Sequence, residues 1–248
     1  AYAFRGCLLL QTVEFPGRLT RLGTGAFENC VKLIRATLPP GLTEIPDNAF
    51  KHCHVLREIT FPPELGSIGE QAFYKCSSLR DVIFPEALTS IGEMAFYRCG
   101  GLKEICLPPA VTRIGSLAFA QSGVKKARIL GEGPGFGRDL FSDCPRLKTL
   151  ILEPGVRHIP DRLAFGCTAL RQVVVPDSLE SVGRHPLENT LFLQNLGVKA
   201  QNNRLDSLTK TGSPQNNQET DKFLETNGIL WDGADLSGDV ILPDTVRI

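Results

Sequence analysis

From Ala1 to Leu187 apolar residues fall in one recurring pattern, of which Ala72-Phe73-Tyr74-Lys75-Cys76-Ser77-Ser78-Leu79-Arg80-Asp81-Val82-Ile83-Phe84-Pro85, then Leu88, Ile91 and Gly92, is a full unit. Val82 and Phe84 flank an outward residue, the two-residue period of a short strand with one buried face. The set Leu79, Val82, Phe84 recurs as Leu56, Ile59, Phe61 and as Leu102, Ile105, Leu107. A proline closes each strand (Pro16, Pro39, Pro62, Pro85, Pro108, Pro176), where its missing N–H breaks no ladder. Leu88 and Ile91 bring the chain back toward the core. The following glycine (Gly23, Gly69, Gly92, Gly115, Gly183) is read as permitting a tight bend.

The period is 23 residues: Cys7, Cys30, Cys53, Cys76 and Cys99 keep it, Ser122 takes the next slot, and Cys144 and Cys167 follow at 22 and 23. Phenylalanine keeps step three or two residues earlier, at Phe4, Phe27, Phe50, Phe73, Phe96, Phe119, Phe141 and Phe165. Alanine precedes all of these but Phe141, which follows Leu140. Self-similarity at such a period is the mark of stacked repeats, because a unit this small cannot bury its own apolar edge. Stacking predicts a parallel sheet with one strand per coil at a spacing of about 4.8 Å, and one internal column of phenylalanines suited to offset stacking. The alanine leaves room for the backbone of the adjacent coil.

The same slots, Ala-Phe-x-x-Cys-x-x-Leu-x-x-Ile-x-Leu-Pro-x-x-Leu-x-x-Ile-Gly, resemble the leucine-rich repeat of BspA-like proteins. The resemblance covers about Ala1 to Leu187 in eight registered copies. It implies a leucine-rich-repeat solenoid: about eight coils, a curved parallel sheet on one side and mostly irregular turns on the other. It also implies a bacterial or protist cell-surface or secreted protein, with adhesion as a known role of some members.

The pattern departs from regularity in two places. The sixth coil loses one residue at Ser122-Gly123-Val124, with Ala127 and Ile129 as its inward pair. Gly131-Glu132-Gly133-Pro134-Gly135-Phe136-Gly137 then replaces the usual return, and counting from Ile129 places Phe136 in the isoleucine slot. That run lacks the spacing and the Lys-Ser/Thr of a phosphate-binding loop, so it reads as a turn variant. After Pro176 the array fades, and His185-Pro186-Leu187 stands where Ala-Phe is due. The organisation expected is a solenoid over 1–193, a polar stretch over 194–222 and the opening of a second, similar repeat segment over 223–248. The polar stretch is either a flexible linker or a helical cap, with Ser213-Pro214 opening the helix and Leu191, Phe192 and Leu196 covering the end of the core. Because the pattern begins at Ala3-Phe4 and stops at Ile248 inside a unit, the chain reads as part of something longer.

Composition adds constraints. The 27 basic and 27 acidic residues balance, which argues against a nucleic-acid partner, since phosphate binding needs a basic surplus on one face. No apolar run reaches the length of a membrane-spanning helix. The registered cysteines are read as buried, reduced, small apolar residues, with parallel side chains poorly oriented for disulfides. So many free thiols suit a reducing or anaerobic setting. Cys106 lies between inward Ile105 and Leu107, faces outward, and is the one thiol expected to react. His52-Cys53-His54 suggests a metal, but Cys53 is a core position and no second ligand pair stands at zinc-site spacing. His158 and His185 stand alone, and no nucleophile–base arrangement recurs. No catalytic residue, metal or cofactor is therefore assigned.

Two outward lanes cross the predicted sheet. One reads Thr12, Arg35, Glu58, Asp81, Glu104, Lys126, Thr149, Gln172 and is solvated. The other reads Glu14, Thr37, Thr60, Ile83, Cys106, Arg128, Ile151, Val174 and turns apolar in its second half. β-Branched residues suit strands in any case, yet contiguous exposed apolar area also marks contact surfaces. Ile83, Cys106, Arg128, Ile151 and Val174 form the candidate binding face. The expected function is a non-enzymatic scaffold holding a protein or glycan; the alternative is a structural spacer or accessory domain of a larger protein.

Overall fold

The computed structural model describes residues 1–130 and 135–195. The chain winds into parallel strands stacked as a solenoid of about seven turns with little helix. Eight phenylalanine markers bound seven intervals, which is why counting markers suggested about eight coils. The expected organisation at 194–222 and 223–248, with Ser213-Pro214 and Leu196, lies outside the described residues. No helix among the described residues is long and apolar enough to cross a membrane.

Each turn has three sides. The first carries the predicted strands: Thr12–Glu14, Arg35–Thr37 and Glu58–Thr60 pair in parallel, as do Glu104–Leu107, Lys126–Ile129, Thr149–Leu152 and Gln172–Val174. Between the two groups, the fourth coil contributes only an isolated bridge from Asp81 to Glu58. Burial alternates along these strands as expected, with Ala127 and Ile129 inward in the shortened coil.

The second side differs from the irregular turns expected there. It forms a further parallel ladder of two-residue strands: Glu44–Ile45, Ser67–Ile68, Ser90–Ile91, Arg113–Ile114 and Gly135–Phe136, then His158–Ile159 with Ser181–Val182. The isoleucine slot is thus itself a strand position, and Phe136 pairs in register with Ile114. The glycine after it does not serve a bend, since its φ is ordinary. A Cβ on Gly115 would stand 2.2 Å from the Glu93 nitrogen, and one on Gly92 would stand 2.5 Å from the Glu70 nitrogen. These glycines let the backbones of adjacent coils touch. Two coils place proline there, followed by Asp47 or Asp161, whose Oδ1 accepts the N–H of Glu70 or Arg184 at 2.7 Å. That backbone donor, with the Arg184 guanidinium, holds the Asp161 carboxyl below its ordinary value despite partial burial.

The third side is the Ala-Phe-x-x-Cys turn. Its N–H groups alternate between two destinations. In the third coil those of Asn48, Phe50 and His52 donate across to Glu70, Ala72 and Tyr74, while those of Ala49, Lys51 and Cys53 close turns within the coil onto Pro46, Asn48 and Phe50. The alternation needs left-handed backbone just before the alanine and just before the cysteine, as at Asn48 (φ 57°) and His52 (φ 63°), Gln71 (52°) and Lys75 (58°), Met94 (52°) and Arg98 (57°). Such positions cost non-glycine residues about 1–3 kcal/mol each, offset by the bonds they direct.

Inside, the rings of Phe4, Phe27, Phe50, Phe73, Phe96, Phe119 and Phe141 stack with centroids 5.1–5.4 Å apart. Phe165 does not join them. Leu163 and Ala164 take the Ala-Phe slots, shown by the Phe141 N–H donating to Leu163 and the Cys167 N–H to Ala164. Phe165 is displaced outward, where the Arg162 guanidinium lies 3.6 Å from its ring centroid. The two-residue spacing from Phe165 to Cys167, against three elsewhere, was the sign of this shift. Beyond it, the helix Leu191–Asn195 is capped by Thr190, whose Oγ1 accepts the Leu193 N–H at 3.3 Å, and Phe192 is buried in the same core.

The cysteine slot has a reason beyond size. Each buried thiol donates to the phenylalanine carbonyl of the preceding coil: Cys53 to Phe27, Cys76 to Phe50 and Cys99 to Phe73, each at 3.1 Å. Burial pushes the Cys53, Cys76 and Cys99 thiols well up from their ordinary value. Ser122 fills the slot with a hydroxyl 3.3 Å from the Cys144 sulfur. Cys7 departs from the expectation that all seven registered cysteines are buried: it lies in the first coil and is exposed, as is Cys106.

Phe73→Ala should destabilise the protein by about 3–5 kcal/mol, the cost of truncating a buried aromatic, whereas Phe165→Ala should cost a fraction of that. Denaturant unfolding compares the two, and equal losses would contradict the displaced register. Thiol labelling should reach all eight cysteines in denaturant. In the native protein it should be fast at Cys7 and Cys106 only, with rapid native labelling of Cys76 as the contrary result.

Candidate binding face

The registers on the first side confirm both outward lanes. Thr12, Arg35 and Glu58 align, with Glu58 bridged to Asp81, and Glu104, Lys126, Thr149 and Gln172 align in the second group. Cys106, Arg128, Ile151 and Val174 are neighbours in one lane. Ile83 stands apart from these four, on the coil where the ladder is interrupted, and is 87% exposed. Cys106 and Arg128 are exposed, while Ile151 and Val174 are half-buried. The lane is therefore less open in its last two coils than along the rest of the sheet.

Arg128 stands in this lane between Cys106 and Ile151. It has a partner of its own: Nε donates to Glu153 Oε1 at 2.5 Å, reaching past Ile151, and that carboxylate raises the guanidinium above its ordinary value. Arg35 and Glu58 pair similarly at 2.7 Å in the other lane. Both pairs are surface pairs, worth little to stability, but they set which charges remain free.

A third lane was missed. From the third coil on, the residue immediately before the first-side strand or bridge is Arg57, Arg80, Lys103, Lys125, Lys148 and Arg171, basic in six successive coils and exposed in every one. Their backbones are linked: Arg80 N–H donates to the Arg57 carbonyl at 3.3 Å, Lys125 to Lys103 at 2.7 Å, Lys148 to Lys125 at 2.8 Å and Arg171 to Lys148 at 3.0 Å. Among the described residues none of the six side chains is in an ion pair or side-chain hydrogen bond. The signal was present in the sequence at the same period, one position ahead of the lanes that strand alternation singled out. A zero net charge concealed it.

His52 and His54 sit on the turn side, away from these lanes. The His52 ring meets His54 and Tyr74 edge-on at 5.5 Å, and Tyr74 stacks on Tyr97 at 5.3 Å. Lys51 and Lys75 lie over the Tyr74 ring. Partial burial, then the nearby cations His54, Lys75 and Lys51, press the His52 imidazole below its ordinary value. This is a packed cation–aromatic surface, and among the described residues no three metal-ligating side chains converge. His158 Nδ1 lies 2.6 Å from Ser181 Oγ on the second side, and His185 pairs with Glu188 at 2.7 Å.

The profile of the BspA type leucine rich repeat region matches residues 1–126 and 99–211, with six copies. Among solved structures, a leucine rich repeat protein of T. pallidum is 28% identical, with a TM-score of 0.57 over 82% of this chain and 86% of that one. A leucine rich cell surface protein of Faecalibacterium prausnitzii is also 28% identical, with a TM-score of 0.55 over 71% of this chain and 57% of its own. No curated protein matches the chain. With its 23-residue period, its registered coils and a profile match spanning most of its length, the chain belongs to the family of BspA-type leucine-rich repeat proteins.

Proposed function

We propose that the chain is a non-enzymatic binding module, displayed on a cell surface or secreted, that holds a protein or glycan against its strand side. One observation carries this reading: the strand side presents one side chain per coil per lane at fixed spacing, and its lanes differ in chemistry, solvated, apolar and basic. A face needed only for structure requires β propensity, not an unpaired rank of cations or an isoleucine 87% exposed. The F. prausnitzii relative is described as a cell surface protein, which supports display outside the cell and, with it, a role in adhesion. The reading assigns no cofactor and no catalytic residue.

The test uses a panel of purified extracellular-matrix proteins and surface glycans. Ile83→Thr, Ile151→Thr and Val174→Thr together should preserve the strands, since threonine is also β-branched. The triple change should weaken capture of a panel partner about tenfold, the scale of a lost apolar contact. Arg128→Ala should add to the loss, and Glu14→Ala, at the far end of the lane, should do little. A partner held equally by parent and triple variant would show that the apolar lane is not the contact. A parent that captures nothing would favour a spacer.

A further inference from the structure

The basic lane is the most regular chemical feature of the surface that packing does not explain. Its six members are exposed, unpaired among the described residues, and stepped one per coil. Adjacent coils stand about 4.8 Å apart, so the lane is a rank of positive charge running along the stack. An isolated exposed cation does little for stability, and cations in register repel one another. The rank is kept through a shortened coil, where the spacing drops to 22 residues from Lys103 to Lys125, and it offers a partner of opposite sign one continuous line of contact.

We propose that this rank seats a linear acidic polysaccharide, a chain bearing a carboxylate or sulfate on its sugar rings, lying along the solenoid axis. The proposal rests on the reading of the strand side as a binding surface and adds a second contact beside the apolar lane. Chemistry and shape separate the polyanions. A linear glycan carries its charges along one extended chain with hydroxyls between them, so it can take both the cations of the rank and uncharged donors beside them. A nucleic-acid duplex places phosphates about 3.4 Å apart on each strand and curves them away from a straight line.

The seat is the second half of the rank. Arg57, Arg80 and Lys103 are each followed in sequence by an acid, Glu58, Asp81 and Glu104, which would repel a polyanion. Lys125, Lys148 and Arg171 are followed by Lys126, Thr149 and Gln172. The Thr149 hydroxyl donates to Gln172 Oε1 at 3.2 Å, which leaves the Gln172 amide nitrogen as a donor for sugar hydroxyls beside the charges. Each contact is weak and screened by salt, so affinity comes from several engaged at once along one chain.

The probe is polygalacturonate of defined length, with neutral dextran of the same length as control, measured by calorimetry on the full chain. Parent protein should bind polygalacturonate and not dextran, with an affinity that falls about tenfold or more as salt rises from low to physiological levels. Lys125→Gln, Lys148→Gln and Arg171→Gln together should weaken binding at least about tenfold, each engaged charge contributing to the salt-dependent affinity. Arg57→Gln with Arg80→Gln should change it far less. All five positions are exposed, and circular dichroism confirms that the variants fold. The Ile83/Ile151/Val174→Thr variant should bind polygalacturonate like the parent, which separates this contact from the apolar lane. No binding by the parent, or undiminished binding by the Lys125/Lys148/Arg171 variant, overturns the proposal and leaves the apolar-lane reading to its own test. A DNA duplex bound as tightly as polygalacturonate overturns it in favour of nucleic acid.

Discussion

The row of N–H groups that each Ala-Phe-x-x-Cys turn sends into the next coil sets the pitch of the whole molecule. At Asn48, Phe50 and His52, and at the equivalent positions of other coils, three donors leave the turn for three carbonyls of the neighbour. For them to reach, the backbones must approach until a Cβ in the glycine slot would collide with the next chain, which explains Gly92 and Gly115. The same approach brings the phenylalanine rings to stacking distance and each buried cysteine thiol to the phenylalanine carbonyl of the preceding coil. The left-handed residues before alanine and cysteine are where the turn is locally unfavourable. Their recurrence through the array shows that the inter-coil bonds outweigh that cost.

Once the pitch is fixed, the exterior becomes a set of parallel lanes. Any residue type repeated at the period is drawn out into a line on the surface, and any change of type along a lane divides the face into zones. The apolar second half of one lane and the basic rank one position ahead of the other arise in this way. Recognition by such a face depends on length and register, so a linear or broad partner fits it better than a compact small molecule. A stacked array is stabilised mainly by nearest-neighbour contacts, which leaves the lane residues free to vary in chemistry without disturbing the core.

Sequence reasoning reached the strands, the phenylalanine column and both outward lanes because burial of period-two residues and a 23-residue repeat are direct consequences of side-chain chemistry. It failed where the cause was backbone. The second ladder of two-residue strands is too short to show alternation, and the N–H groups that the turn sends into the next coil meet backbone carbonyls, not side chains. The glycine slot was assigned to a bend when it answers a close approach, a distinction that depends on distances between coils. Phe165 was placed by residue type when its spacing to Cys167 already marked it as displaced. The basic rank was legible but overlooked, because it sits just outside the alternating strand positions and the balanced net charge drew attention away from it. The Arg128–Glu153 pair joins residues 25 apart, off the repeat period, and could not be read from registration alone.

Native-state hydrogen exchange tests most directly whether the turn-side donors set the stack. The amides of Phe50, Phe73 and Phe96 lie in turns, yet each donates to the next coil at 2.7–2.8 Å. They should exchange as slowly as the strand amides of Ile105 and Leu150, with slow protection recurring at 23-residue intervals. Fast exchange at these three phenylalanines, beside protected strands, would mean that the sheets alone hold the coils together and would contradict the account.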